Sequence, residues 1–288
     1  MQPNTKKPCA TSYVNKDSQH QEATTMGRLV DKVRRIPAEK FKLPSNGFQY
    51  PEDMFDGVDF GEIEVFPISS YDEILLKTPE MLLSGEGIYE VIVRKIPCIK
   101  YPKLLAHKDV DFILSCLRKV TYGDQLTVEY THDCESAKKH SYNLLLSDFI
   151  GLTKHLDPTL CSVNFKFNMP NDQEIILNNI KFTDVIKLTQ LSMKLENEEF
   201  INAKDIETSS VQSLAAMIKS VDGVLDQEEI QEWLMEIPAP YIKVIQNHIQ
   251  KMGSNWGIEF TSKTKCKDCG AEIDLTPSIN PIGFFMRL

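Results

Sequence analysis

Two segments far apart in the chain each carry thiol or imidazole groups between strand-like runs. The first contains His132, Cys134 and His140, and the second contains Cys266 and Cys269. Two cysteines separated by two residues can direct both sulfurs at one metal ion, and the glycine that follows them permits a tight turn. Each segment therefore has the pattern of a β-hairpin with a metal-binding turn, which we call a knuckle.

Together the two knuckles can supply the ligands of one zinc ion. A structural zinc site takes four Cys or His ligands, and Cys134, Cys266 and Cys269 provide three of them. The fourth is predicted to be His140, with His132 as the alternative, because the first knuckle lacks the second cysteine of a Cys-x-x-Cys pair. Four protein ligands leave no position for a water nucleophile, so this zinc would be structural. The other interpretation is a knuckle that folds without metal.

The remaining cysteines have a different setting. The chain has 7 Cys and no apolar signal-peptide segment at its start, so we expect a reducing cytoplasm in which cysteines are free thiols or metal ligands. Cys98, Cys116 and Cys161 stand in apolar runs and are predicted to be core residues. Cys9 lies in a polar tail and is given no role.

Composition and motifs exclude several classes of function. The sequence has no Gly-x-Ser-x-Gly, no His-Glu-x-x-His and no glycine-rich phosphate loop, so we predict no enzymatic activity and no small-molecule substrate. The net charge of -9 argues against nucleic-acid binding. No apolar run approaches the roughly 20 residues of a membrane span. The alternative function is a zinc-ribbon nucleic-acid-binding regulator, for which the basic residues near the second knuckle are Lys263, Lys265 and Lys267.

The elements that must position the knuckles are helices and strands in mixed order, which predicts an α+β fold. Residues 1–25 are polar and are predicted to form a disordered N-terminal arm. Residues 26–156 and 256–288 are predicted to form an α+β domain with knuckle-bearing hairpins, a zinc-ribbon-like clasp and packed helices. Residues 157–255 are predicted to be an inserted, mainly helical domain that resembles a bundle.

Helix boundaries follow from caps and periodicity. Ser70 is predicted to cap a helix that runs toward Leu83 with a break at Pro79. Gly123 is placed to end the helix that precedes the first knuckle. In the inserted domain, Asp226 is predicted to cap a helix, and the helical ranges are 184–197, 211–221, 227–236 and 241–252.

The chain after the second knuckle is apolar. Pro277 and Pro281 disfavour a regular helix or a central strand there. Phe284 and Phe285 either pack against the protein itself or contact a partner, and they are the candidate partner-binding residues.

Several short motifs occur in an order that resembles one family. They are the turn 43–47, the strand 61–66 with the helix start 69–73, Gly85-Glu-Gly87, the helix 109–118, Thr121-Tyr-Gly123 before the first knuckle, and Cys266-x-x-Cys269-Gly270 with 279–281 and Phe284-Phe285. This order resembles the baseplate hub subunit and hub assembly proteins of T-even-like contractile-tailed bacteriophages. The resemblance covers residues 43–150 and 256–288.

The resemblance implies a role in building the hub of a phage baseplate, as a subunit of the virion tail or as an assembly chaperone in the host cytoplasm. It implies no catalytic residues, and its partners would be other baseplate and tail hub proteins. In that family the first knuckle commonly carries its own Cys-x-x-Cys, of which Cys134 alone remains here. The function would reside in protein–protein interfaces, including the N-terminal arm and the Phe284-Phe285 segment.

Overall fold

The computed structural model describes residues 37–134, 138–157, 165–197, 203–253 and 255–277. The described residues belong to one compact unit. The helices are α1 (Ser70–Lys77), α2 (Pro79–Leu83), α3 (Glu86–Lys95), α4 (His107–Tyr122), α5 (Leu146–Gly151), α6 (Phe182–Asn197), α7 (Ala203–Ala216), α8 (Gln227–Glu236) and α9 (Ala239–Gly253). The strands are β1 (Glu39–Lys42), β2 (Glu62–Val65), β3 (Gln125–Thr131), β4 (Lys139–Leu145), β5 (Lys166–Asn168), β6 (Glu174–Leu177), β7 (Ile218–Val221), β8 (Ser262–Lys265) and β9 (Glu272–Leu275).

The described strands form small antiparallel sheets. β1 pairs with β2, β3 with β4 and β8 with β9, while β5, β6 and β7 form a sheet of three strands. In the described ranges the helices lie between these sheets along the chain and do not alternate with parallel strands. The fold is therefore α+β, which confirms the class predicted from the sequence.

Buried side chains fall into two clusters. The first joins β1 to β4, helices α1 to α5 and the β8–β9 hairpin. The second joins β5 to β7, helices α7 to α9 and Trp256, the last of which is 5% exposed. The C-terminal hairpin thus packs into the core made by the N-terminal part of the described chain. The domain boundaries at residues 156 and 256 stay a prediction.

Helix α4 is the central element of the first cluster. Its apolar face buries Val110, Ile113 and Leu117 completely. Its first turn contains Asp109, which is also fully buried and accepts hydrogen bonds from the Ser45 backbone N–H (3.0 Å) and the Tyr50 hydroxyl (2.6 Å). These bonds attach the loop after β1 to the helix.

The end of α4 sets the start of the first knuckle hairpin. Gly123 follows the helix with φ +87 and donates its N–H to the Lys119 carbonyl, which confirms the predicted helix stop. β3 begins two residues later, so the helix end directs the chain into the hairpin.

The predicted start of the first helix was one residue late. Ser69, not Ser70, is the N-cap, and it forms a capping box with Asp72. The predicted break at Pro79 is confirmed, because α1 ends at Lys77 and Pro79 begins α2. A proline is tolerated there because the first helical N–H groups have no partner within the helix.

The predicted helix over 211–221 was wrong in its last part. Helix α7 ends at Ala216, and 218–221 form strand β7, which pairs with β6. Ile218 and Val221 are buried and β-branched, so pairing with a neighbouring strand outweighs their helical spacing. The predicted cap at Asp226 is confirmed, because its side chain accepts from the backbone N–H groups of Glu228 and Glu229.

Some sequence predictions lie outside the described residues. These are the disordered arm over 1–25, Cys9, Cys161, Phe284 and Phe285. Cys98 and Cys116 are described as free, buried thiols, which confirms their assignment to the core.

Candidate metal centre

The first knuckle is held by a seven-residue antiparallel ladder. β3 and β4 pair in register from Gln125 with Leu145 to Thr131 with Lys139. Leu126, Tyr142 and Leu144 alternate with exposed residues and face the first core cluster, so burial of one face fixes the register. The ladder ends at the turn that carries His132 and Cys134.

The second knuckle is a tight turn between β8 and β9. The Cys266 N–H donates to the Ala271 carbonyl (2.8 Å), and the Gly270 N–H donates to the Cys266 carbonyl (3.0 Å). Gly270 has φ +72, a left-handed conformation that glycine adopts without a steric cost. Ile273 and Leu275 on β9 are buried in the first core cluster, so packing holds the turn against the rest of the fold.

The two knuckles meet and bring four potential ligands together. One ligand atom from each of His132, Cys134, Cys266 and Cys269 lies within 4.8 Å of all the others. His132 and Cys269 are 137 residues apart in sequence, yet the Cys269 Sγ is 3.4 Å from the His132 Nδ1. Tetrahedral zinc with Zn–S bonds of about 2.3 Å needs ligand atoms about 3.5–4 Å apart. The ligand atoms lie close to this spacing, so these residues could hold a metal ion.

Electrostatics in the cluster favour a bound cation. The backbone N–H groups of Cys269 and Asp268 hydrogen-bond to the Cys266 sulfur and lower the pKa of its thiol. The Ala271 N–H stabilises the Cys269 thiolate, but burial and the neighbouring Cys266 raise the pKa of Cys269 overall. A second thiolate is thus disfavoured beside the first, and a cation between them would remove that repulsion.

The histidine nearest the thiols responds to them as well. The hydrogen bond between His132 and the Cys134 sulfur is the main cause that raises the pKa of His132, and the interaction with Cys266 adds to it. To bind a metal, the imidazole must be neutral and the cysteines must be thiolates. Metal binding would therefore release protons from this cluster.

His140 lies beside the cluster but outside it. Its Nε2 is 2.6 Å from the Asp268 Oδ2, on the turn between Cys266 and Cys269. The sequence analysis placed His140 first as the fourth ligand, and the structure brings the alternative, His132, to the three cysteines instead. The close spacing of His132 and Cys134, which lets one turn present both side chains, was the sequence signal for this arrangement.

Lys267 forms a second link between the knuckles. Its backbone N–H donates to the Tyr142 hydroxyl (3.3 Å), and its Nζ donates to the Ser141 carbonyl (2.5 Å). The same ammonium lies 4.9 Å from the centre of the Tyr142 ring. Contacts that need no metal therefore already join β4 to the second turn.

The fold and the site define a class of protein: an α+β protein in which two distant hairpins present three cysteines and one histidine to a single point. A family model described as "T4 bacteriophage base plate protein" matches residues 65–282, which contain both hairpins, and the chain belongs to this family. It is therefore a phage baseplate protein with a structural or assembly role. No curated protein and no solved structure matches the chain. Among the described helices, none combines the length and apolar character needed to cross a membrane.

Proposed function

We propose that this protein builds the hub of a contractile-tail baseplate, as a hub subunit or as an assembly chaperone, and that a structural zinc ion joins its two hairpins. It acts through interfaces with other baseplate and tail hub proteins. No catalytic step is part of this role, and it is carried out in the virion tail or in the host cytoplasm during assembly.

The observation that carries the proposal is the position of the cluster within the family match. Residues 65–282 include all four potential ligands, so both hairpins lie within the part of the chain that matches the baseplate family. A clasp between hairpins fixes a surface without reacting with a substrate, which suits a protein that acts by binding partners. The order of motifs that resembles hub proteins supports the hub in particular.

Zinc is the metal that suits these donors best. Three thiolates and one imidazole in a tetrahedral arrangement form a common structural zinc site, whereas calcium and magnesium prefer oxygen ligands. Because the protein fills all four positions, such an ion has no open position for water. The ion would stabilise the folded state, since the ligands converge only when both hairpins are formed.

The test of the hub role is quantitative mass spectrometry of purified virions and of infected-cell lysate. A fixed, low copy number in virions supports a hub subunit, and presence in lysate bound to hub proteins but absence from virions supports a chaperone. Absence of this protein from virions, together with lysate complexes that contain no hub protein, would contradict the proposal. Elemental analysis of the purified protein tests the metal, with zinc equimolar to the chain as the expected result.

A further inference from the structure

A groove of about 950 Å³ lies between strands β4 and β8. Its walls include the consecutive residues 141–145 of β4 and 261–264 at β8. Successive side chains of a strand point to opposite faces, so a groove on one face would contact only every second residue. A groove that contacts consecutive residues therefore lies along the edge of the strand. The groove therefore separates two strand edges.

The edge of β4 presents backbone groups to this groove. The Leu146 N–H donates to the Asp124 carbonyl (2.9 Å), which fixes the alternation of hydrogen-bonded pairs along the β3–β4 ladder. By that alternation the backbone of Leu144 forms hydrogen bonds to β3. The N–H and C=O of Asn143 and the N–H of Leu145 point away from β3, toward the groove. No other backbone partner for these groups exists in the described ranges.

The two edges differ in charge. The β8 edge carries Lys263 and Lys265, exposed ammonium groups of the kind that discourages pairing with another strand. On the β4 edge, the Lys267 ammonium contacts the Ser141 carbonyl at the knuckle end. Farther along lie the uncharged Asn143 and Leu145, and Leu145 is 42% exposed. Leu152 lines the same groove and is 79% exposed. The part of the β4 edge at Asn143 and Leu145 is uncharged and lies beside exposed leucines, which suits an added strand, so β4 is the edge that receives one.

The chain itself supplies a segment of the right length and composition. Leu275 at the end of β9 lines the groove, and residues 278–288 follow the described part. The segment 282–288, Ile-Gly-Phe-Phe-Met-Arg-Leu, is apolar apart from one arginine and contains no proline. Extended at about 3.3 Å per residue it would span roughly 23 Å, against about 17 Å for the five groove residues of β4. Pro277 and Pro281 lie in the connection, where they block no ladder hydrogen bond.

We propose that residues 282–288 add to the free edge of β4 as an antiparallel third strand and fill this groove. The knuckles meet, and β4 and β9 both run away from their knuckles, so the chain leaves β9 at the far end of the groove. A segment that turns back toward the knuckles therefore runs opposite to β4. Neighbouring side chains of a strand face opposite ways, so only one of Phe284 and Phe285 enters the apolar side, and the other stays available to a partner.

Site-specific photocrosslinking in the full-length chain tests this placement. A photoreactive phenylalanine analogue replaces Leu145 in one variant and Gln125 in a matched control, because these residues pair with each other on opposite edges of the same ladder. Proteins grown with light and heavy nitrogen are mixed before irradiation, and the crosslinked peptides are identified by mass spectrometry. The expected result is a crosslink from position 145 to residues 282–288 of the same molecule and none from position 125.

Crosslinks only between light and heavy chains would overturn the proposal in favour of a second copy in the groove. Crosslinks from position 145 to no residue of 278–288 would also overturn it. A second measurement compares amide exchange at Asn143 in the native chain and in the full-length variant F284D/F285D. Exchange should be about fivefold faster in the variant, the factor that corresponds to one hydrogen bond, and unchanged exchange contradicts the added strand. The isolated chain is used throughout, so these outcomes are independent of the baseplate role.

Discussion

His132 and His140 belong to the same hairpin but have different partners. His132 lies with the three thiols, whereas the ring of His140 pairs with the Asp268 carboxylate. Only the first can donate an electron pair to an ion at the cluster without moving Asp268. The difference separates a candidate ligand, His132, from His140, which contacts the turn of the second knuckle.

Replacing each histidine with alanine should therefore give different metal affinities. His132→Ala removes a ligand and should weaken zinc binding by more than about 100-fold, whereas His140→Ala should weaken it by only about tenfold, the low end for a group that acts through the residues around the ligands. Competition with a chromogenic chelator measures both constants. If His140→Ala bound zinc more weakly than His132→Ala, His140 would be the ligand.

Tyr50 stabilises the buried carboxylate of Asp109. Its hydroxyl donates to the Asp109 Oδ2 and accepts from the Ala106 N–H (2.7 Å). Tyr50→Phe leaves both groups with one hydrogen bond fewer in a buried setting, and it should lower the free energy of unfolding by about 1–3 kcal/mol. Tyr101→Phe is the control, because it removes an exposed bond to Asp53 and should change stability by less than about 0.5 kcal/mol. Urea denaturation compares them, and equal effects would contradict a special role for the Tyr50 contacts.

Asp111 on α4 gives a pH dependence with a defined sign. Burial raises its pKa to about 6, although Lys108 acts in the opposite direction. The folded state then holds a proton that the unfolded state, with a carboxyl pKa of about 3.9, has lost. Stability from this group is full below about pH 4, falls as the pH rises toward 6, and is then constant, with a total change of at most about 3 kcal/mol.

Denaturation between pH 4 and 6 checks this sign. Asp111→Asn should remove the fall, whereas Asp56→Asn, at an exposed position, should retain it. If the free energy of unfolding of the native protein rose more steeply between pH 4 and 6 than that of Asp111→Asn, the result would contradict the raised pKa of Asp111.

At the scale of elements, the connection between β1 and β2 depends on close backbone approach. Gly61 has φ +83, and a Cβ there would lie 2.8 Å from the Asn46 carbonyl carbon. Gly57 in the same connection has φ +72 with nothing within 4 Å of its Cβ position. The two glycines therefore share the left-handed conformation but differ in the space around them.

Alanine at these two positions should separate the two costs. Gly57→Ala should cost about 1–2 kcal/mol for the left-handed conformation alone, and Gly61→Ala should cost a further 1–3 kcal/mol, roughly, for the steric overlap. Thermal and urea denaturation measure both variants. Equal losses would mean that the loop moves away from Asn46 without cost.

At the scale of the whole molecule, the two knuckles join distant parts of the sequence into one core. Phe260 of the C-terminal part packs on Phe149 after the first hairpin, with ring centres 5.7 Å apart. Cys266 and Leu275 are buried in the same cluster as α4. Apolar packing therefore acts together with the Lys267 contacts, and a metal ion would add to a clasp that is already formed.

Removing the metal should loosen the clasp while the fold persists. A strong chelator should lower the melting temperature and speed amide exchange at the knuckles more than in α8 and α9, because only the knuckles lose ligand bonds. The variant C266S/C269S should already melt at the lower temperature and should not respond to chelator. A chelator effect of equal size in this variant would show that the metal acts elsewhere.

The sequence by itself determined the class of fold, the two hairpins and three of the four candidate ligands, Cys134, Cys266 and Cys269. Alternation in β3 and β4, the Cys-x-x-Cys turn and the stop at Gly123 are local features, and local sequence sets caps, turns and strand faces. It also indicated the baseplate family through the order of short motifs, which the family match over residues 65–282 confirms.

The tertiary structure decided which histidine joins the thiols and which segments become strands. His132 and His140 are equally suited by type, and only the meeting of two turns, 137 residues apart for His132 and Cys269, selects one of them. β7 forms because β6 offers a partner, which its helix-like spacing does not reveal. Convergence of distant segments depends on how the whole core packs, and a pattern within one segment carries no information about that packing.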